Sequence, residues 1–483
     1  MPHIHNLPEE LLASIFRELE PIRSFNVDAQ GPEENIRRSE NKARVRSLKS
    51  LCLVSRQYSR IAVPVLYSAL ILAGTRVHRT NRLAAYSRAA LRRPWLRECL
   101  LYVEQLHDEP AEPPKGPNWY NIHASRPFDE LLRPLVERVH TLRDEFYAWD
   151  GRDAQHHSQL ALTILMAPNI AHLTIYVTED VVPYFCDFAG FHVPRNDERL
   201  NFHEYAQLET LCLAPAYDDW NTNRDRPCGS ISWRNVAKTL QCLPKLKNFQ
   251  LSGPSFHEDD LPTPVTLANL QTINMHGTNL MIGQLATLAA GCKSLTELYV
   301  QWGSWNFSET DLELQHLLNP LLPLKESLEV LSILPGLRSV FSYCESQPML
   351  RLDPFGCLRT LHIIDFLLLG TIPFEYPHSG NEWGCFRPPL RIVQCLPVSL
   401  EVLFIIEKHK KLNDNAAVLW DFAEDLPLLP KLSLVYLEIV RKAQDVTKLT
   451  ARFEEQGVSL STETDARYFA SIRAGRYSRF RQF

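Results

Sequence analysis

The sequence predicts an α/β protein in which a module of three short N-terminal helices precedes an irregular solenoid of short parallel strands. Two periodicities and one absence predict it. Apolar residues recur at helical spacing over 7–19 and 47–62. A six-residue pattern, apolar-x-x-apolar-x-apolar, returns nine times between Ile170 and Ile439. Nowhere do about 18 apolar residues run together as a membrane span requires. With 483 residues, 45% of them hydrophobic, the chain can form roughly two to four folding units with buried cores.

In the first segment, Leu7, Leu11, Leu12, Ile15, Phe16 and Leu19 fall on one stripe of a helix. Asn6 is its expected cap, and Pro8 stands early enough that its missing N–H costs nothing. In Ser47 to Ala62, Leu48, Leu51, Cys52, Val54, Tyr58 and Ile61 make a second apolar face, which Pro64 is expected to end. Isolated helices this short are marginal in water, so these faces need each other and a partner. Between them, Glu20 to Arg46 is charged, as in Glu33-Glu34-Asn35-Ile36-Arg37-Arg38-Ser39-Glu40, and reads as a surface-loop insertion. Such an insertion is tolerated because closure entropy grows slowly with length.

Leu7-Pro8-Glu9-Glu10-Leu11-Leu12-Ala13-Ser14-Ile15-Phe16-Arg17-Glu18-Leu19, followed by Leu48 to Ala62, resembles an F-box. The pattern is Leu-Pro-x-Glu-Leu-Leu-x-x-Ile-Phe-x-x-Leu, then Leu-x-x-Leu-x-Leu-Val-Ser-Arg-x-aromatic-x-x-Ile-Ala. Pro64-Val65-Leu66-Tyr67 is similar to the segment that often follows it in fungal members. The resemblance implies a three-helix module that docks on the adaptor Skp1 and, through it, on a cullin-RING ubiquitin ligase. Leu7, Pro8, Leu11, Leu12, Ile15, Leu51, Val54 and Tyr58 match motif positions that build the module or face the adaptor. The insertion departs from the short connection of the family. An ordinary helical cap is the competing reading.

The strand pattern starts at Ile170, Leu208, Leu246, Leu270, Leu295, Leu328, Leu358, Leu400 and Leu434. In each copy the fourth and sixth positions point inward from a short strand, the first tucks beneath, and stacked neighbours share a core. Helical spacing over Met281 to Ala290 and Leu312 to Leu318 predicts segments that return the chain across the outer face. The run from Ile170 to Val440 resembles leucine-rich repeats. Copies are 38, 38, 24, 25, 33, 30, 42 and 34 residues apart, and only two of these intervals match the usual repeat length. The expected Asn or Cys at the ninth position is replaced by residues such as Ala216, Pro254, Thr278 and Gly303. These departures predict a degenerate horseshoe, with a two-layer α/β domain as the alternative. The expected boundaries are 1–70 for the helical module with its insertion at 20–46, then 71–160 for degenerate first repeats. That second segment includes the proline-rich Pro110 to Pro117 within the weakly periodic Arg76 to Trp149. The solenoid proper is expected over 161–450, with a cap or tail at 451–483. Fifth positions would face solvent inside the curve, which nominates Gln250, Asn274, Tyr299, Ser332, His362, Phe404 and Glu438 as contacts for a bound protein.

Lys and Arg number 51 against 56 Asp and Glu, a formal net charge of −5, so any polyanion site must be local. The 11 cysteines are scattered, without a Cys-x-x-Cys pair, and are expected to be reduced and mostly buried. Phosphate-cradling glycine loops and a nucleophile elbow are absent. His203-Glu204 opens like a zinc-protease helix, but Gln207 stands where the second histidine ligand belongs. The pairs Asp218-Asp219, Asp259-Asp260 and His156-His157 read as turn or surface residues, and the sequon Asn306-Phe307-Ser308 as incidental. No catalytic residue, cofactor or metal is expected.

The N-terminal residues lack a leader pattern, so a soluble chain in the cytoplasm, the nucleus or both is expected, with no membrane partner. The leading expectation is the substrate-recognition subunit of an SCF-type ubiquitin ligase, with an unknown protein target. The alternatives are a repeat scaffold outside any ligase, or nucleic-acid binding through the tail. In that tail Arg467, Arg473, Arg476, Arg479 and Arg481 alternate with Tyr468, Phe469, Tyr477, Phe480 and Phe483. A capping helix with a frayed end is the preferred reading of the tail, and nucleic acid is the disfavoured partner.

Overall fold

The computed structural model describes residues 7–24, 32–73, 76–105, 160, 163–164, 166–177, 205–215, 230–231, 236, 240–252, 255–256, 266–278, 282–302, 318–319, 321–334, 350–364, 368, 391–406, 416–438 and 446–461. The chain divides into two compact units, 1–231 with 235–246 and 232–234 with 247–483.

The first unit opens with helices α1 (Glu9–Arg17), α2 (Pro32–Val54) and α3 (Arg56–Tyr67). Pro8 is the residue that starts α1: its carbonyl accepts the N–H groups of Leu11 and Leu12 at 3.1 Å each. Glu9 and Glu10 in the first turn favour the positive end of the helix dipole. Asn6, the expected cap, lies outside the described residues. The second apolar face, read as continuous over 47–62, is broken at Ser55, which is extended and whose Oγ accepts the Tyr58 N–H at 3.1 Å to start α3. Pro64 does not end α3, which runs on to Tyr67. An interior proline costs about 3 kcal/mol, and burial of Ile61, Ala62 and Val65 on either side of it offsets that cost.

The expected insertion loop is also corrected, because α2 begins at Pro32, a first helical position where a proline loses no hydrogen bond. Leu12, Phe16, Leu48, Tyr58, Ile61, Ala62 and Val65 form the core of the three helices. The rings of Phe16 and Tyr58 meet edge to face at 5.3 Å and 79°.

Strand β1 (Ala69–Leu72), helices α4 (Arg76–Arg92) and α5 (Trp95–Cys99), and strands β2 (Tyr102–Gln105), β3 (His172–Val177) and β4 (Thr210–Pro215) follow in the first unit. The four strands are parallel and pair in chain order, with Leu70 opposite Val103, Val103 opposite Leu173, and Leu173 opposite Leu211. Two strands therefore precede the first predicted copy. Pro110 to Pro117 lies outside the described residues.

The second unit pairs β5 (Asn248–Ser252), β6 (Thr272–Thr278), β7 (Glu297–Trp302), β8 (Val330–Leu334), β9 (Thr360–Ile364), β10 (Val402–Ile406), β11 (Leu434–Glu438) and β12 (Ser459–Ser461), again all parallel and in chain order. Among the described residues, neither unit shows the order reversal of a doubly wound sheet. Helices α6 (Ile282–Gly291), α7 (Ala416–Asp425) and α8 (Val446–Glu455) lie between strands. Of the expected helix Leu312 to Leu318, only Leu318 falls among the described residues.

A repeated rung ties neighbouring strands within each unit. One carbonyl before a strand accepts two successive N–H groups from the following repeat: Ser68 and Ala171 do so in the first unit, Gln271, Glu329 and Glu401 in the second, at 2.8–3.3 Å. First, fourth and sixth positions are buried, as in Leu246, Phe249 and Leu251 or Leu400, Leu403 and Ile405.

The last predicted copy is out of register by two residues. Val435 lies opposite Leu403 and Leu437 opposite Ile405, so that copy starts at Leu432 and its fifth position is Tyr436, not Glu438. Residues 451–461, expected to begin a cap or tail, instead finish α8 and add strand β12. The turn between them is a Schellman motif: Val458 N–H bonds the Phe453 carbonyl at 3.1 Å, Gly457 N–H bonds that of Glu454 at 2.9 Å, and Gly457 has φ 77°. A Cβ there would meet nothing within 4 Å, so Gly457→Ala should cost only the left-handed backbone penalty, about 1–2 kcal/mol, read from a urea melt. The tail from Arg467 lies outside the described residues.

Candidate functional site

Helix α1 is apolar on two adjoining stripes, and this chain covers one of them. Leu12 and Phe16 are buried in the three-helix core, whereas Pro8, Leu11 and Ile15, spaced three and four residues apart, are exposed. Leu11 is 52% exposed and Ile15 43%. At the end of α2, Leu53 is 88% exposed and Val54 54%. Ile36, on the charged half of α2, is 65% exposed as well; an isolated exposed leucine is ordinary, but five large aliphatic side chains on two helices of one small module are not. The eight motif positions therefore divide. Leu12 and Tyr58 build the core, Leu7 and Leu51 pack against it half-buried, and Pro8, Leu11, Ile15 and Val54 face outward. Leu53 was not among the nominated residues, although it sits in the matched Leu-x-x-Leu-x-Leu run.

The insertion holds this module by polar contacts. On α2, Glu34, Arg37, Asn41 and Leu48 lie on one side at helical spacing, and only the last is apolar. Arg44 donates to the carbonyls of Glu18 at 2.9 Å and Glu20 at 2.8 Å, just past the end of α1. The Asn41 amide brackets Ile22, accepting its N–H at 2.7 Å and donating to its carbonyl at 3.0 Å.

Arg37 reaches furthest. It pairs with Glu34 at 2.6 Å and with Glu104 of β2 at 2.6 Å, and both carboxylates are buried. The Tyr102 hydroxyl accepts the Ser24 N–H at 2.9 Å and donates to Glu104 at 2.8 Å. Burial pushes the Glu104 carboxyl above the ordinary glutamate range, and Arg37 and the Tyr102 hydroxyl pull it only partly back. Burial also works against the Arg37 charge, but the hydrogen bonds to Glu34 and Glu104 and the charge of Glu104 outweigh it and hold the guanidinium protonated. The segment read as a loose loop is thus a strut between the helices and β2.

The nominated target-contact residues do fall on one line across the second unit, Gln250, Asn274, Tyr299, Ser332, His362 and Phe404 standing opposite one another in successive strands. They do not form an open wall. Asn274 is half-buried and the other five are buried. Like positions of neighbouring strands lie about 4.8 Å apart, so large side chains stack and shield one another. The ring of His362 stands 4.3 Å from Phe404 at 81°, and Phe404 lies 5.6 Å from Tyr436. Glu438 closes β11 and does not belong to this column. In the first unit the same position holds Glu104, Thr174 and Cys212, all buried, and burial drives the Cys212 thiol up to about 12.

Among the described residues, no group of three or more His, Cys, Asp or Glu could hold a metal ion, and no helix is long and apolar enough to cross a membrane. None of the seven described cysteines is in a disulfide, and Cys212, Cys292 and Cys395 are buried. His156-His157, His203-Glu204, Asp218-Asp219, Asp259-Asp260 and Asn306-Phe307-Ser308 lie outside the described residues.

The fold defines a class: a mixed α/β protein with a helical N-terminal module and parallel strands paired in chain order. No protein-family model matches the chain, and no curated protein matches it. Solved structures similar to it include a protein from Bacteroides fragilis, 11% identical, with 62% of this chain and 66% of that chain covered and a TM-score of 0.31. Another is the yeast Rad7 and Elc1 complex, 14% identical, with 70% of this chain and 89% of that chain covered and a TM-score of 0.28.

Proposed function

We propose that this chain recruits a target protein to an SCF-type ubiquitin ligase, its N-terminal helices docking on a Skp1-like adaptor and its repeats holding the target. The observation that carries the reading is the set of uncovered apolar side chains: Leu11 and Ile15 on α1 and Leu53 and Val54 at the end of α2 remain exposed although the three-helix core is formed. The motif match over Leu7 to Leu19 and Leu48 to Ala62 supplies the identity of the adaptor. In this role the chain contributes no nucleophile, and rate enhancement comes from holding the target near the transfer machinery. The strut of α2 supports docking by fixing the module instead of leaving a loop across it.

Co-expression with Skp1 tests the proposal. Skp1 should co-purify with the wild-type chain. Leu11→Asp should abolish capture while changing the melting temperature little, because Leu11 is 52% exposed and lies outside the buried core of the three helices. Absence of Skp1 from the wild-type preparation would refute the role.

A further inference from the structure

Helix α4 carries a charge pattern for which adaptor docking has no use. Between Arg76 and Arg97 the sequence has seven arginines and no Lys, Asp or Glu; with +7 here and −5 overall, the rest of the chain carries −12. The helix buries Leu83, Tyr86, Ser87 and Ala90, with the Tyr86 ring 5.8 Å from Tyr67 of α3 and Ser87 Oγ 2.9 Å from Thr163 Oγ1. Its other side presents Arg82, Arg88 and Arg92, all exposed, with Arg82 Nη1 donating to the Ile71 carbonyl at 3.1 Å and Arg88 Nε to the Ala84 carbonyl at 3.3 Å. Arg93, also exposed, continues the turn through an N–H bond to the Ala89 carbonyl at 2.9 Å. At 100° per residue these four arginines occupy an arc of about 140°. Just beyond, Pro94 is exposed and Trp95 is 44% exposed, held in place by the buried Leu96.

Every cation on this face is an arginine, whose planar fork binds a carboxylate through two parallel hydrogen bonds. Along the axis, Arg82, Arg88 and Arg92 are spaced by about 9 and 6 Å. Alternate side chains of an extended peptide are about 7 Å apart. An indole at one end offers a rigid anchor for an apolar side chain. We infer that the exposed face of α4, with Trp95, is a docking site for a short acidic protein segment in extended conformation that carries an apolar residue at one end. A nucleic-acid strand fits less well. The face is only about 16 Å long, and a longer polyanion would continue over a protein whose remaining charge is −12. The inference does not depend on adaptor docking.

The probe is a short fluorescein-labelled peptide of repeated Glu-Glu-Leu, titrated with the full chain and followed by anisotropy. Binding should weaken as salt rises. Arg88→Gln/Arg92→Gln/Arg93→Gln should lower affinity by about tenfold or more, and Trp95→Ala should also weaken it. If circular dichroism shows the triple variant to be unfolded, Arg92→Gln/Arg93→Gln decides, with a severalfold loss expected. No binding, or binding that ignores these arginines, overturns the inference, as does a short oligouridine that binds through them more tightly than the peptide.

Discussion

Arg37→Ala should destabilise the first unit by about 3–5 kcal/mol, because it strands the Glu104 carboxylate in the interior without its cation. Glu104 has a side chain only 2% exposed, and its charged partner among the described residues is Arg37 at 2.6 Å. Glu34 is better protected, since Arg38 also reaches it at 3.0 Å. Replacing both members, as in Arg37→Met with Glu104→Leu, should recover most of the loss, since a buried pair is worth little more than apolar groups of similar size. Urea denaturation of the wild type, Arg37→Met, Glu104→Leu and the double variant gives the coupling directly. A single-variant cost below about 1 kcal/mol would mean that the α2 strut does not anchor the helices to β2.

Phe16→Ala should cost a further unit of the same size, about 3–5 kcal/mol, by opening a cavity against Tyr58 in the three-helix core. Phe16 is 1% exposed and its ring meets Tyr58 at 5.3 Å. A module this small has few other buried groups to compensate, so adaptor capture should disappear with stability. Leu11→Asp should give the opposite pairing, lost capture with retained stability. The two substitutions, five residues apart on one helix, separate a folding defect from a docking defect. Equal destabilisation by both would place Leu11 in the core and remove it from the docking edge.

The strand pattern was legible because each repeat buries the same three positions, and period-two alternation survives irregular spacing. Its register was not legible at the end of the array. Leu432, Val435 and Leu437 fit the template as well as Leu434, Leu437 and Ile439 do, and only the pairing of Val402 with Leu434 decides between them.

The strut was hidden for a different reason. Glu34, Arg37 and Asn41 follow helical spacing as faithfully as an apolar stripe would, but they are polar, and a hydrophobicity reading assigns such a segment to solvent. Burial of the fifth positions was equally invisible, because a six-residue pattern records which side of a strand faces the core and not how side chains stack along the other. On α1 the sequence marked six apolar positions as one stripe. The division into a buried pair, Leu12 and Phe16, and an exposed pair, Leu11 and Ile15, follows from where α3 packs.

On the proposed function, a partner covers the exposed apolar side chains of the N-terminal helices. Titration of purified Skp1 into the full chain, compared with Ile15→Asp and Leu53→Asp, tests it most directly. Saturable binding to the wild type is expected, with a loss of about 30-fold or more in each variant, the size of an interface anchor worth about 2 kcal/mol. Undiminished affinity in both variants, or no binding by the wild type, would contradict it.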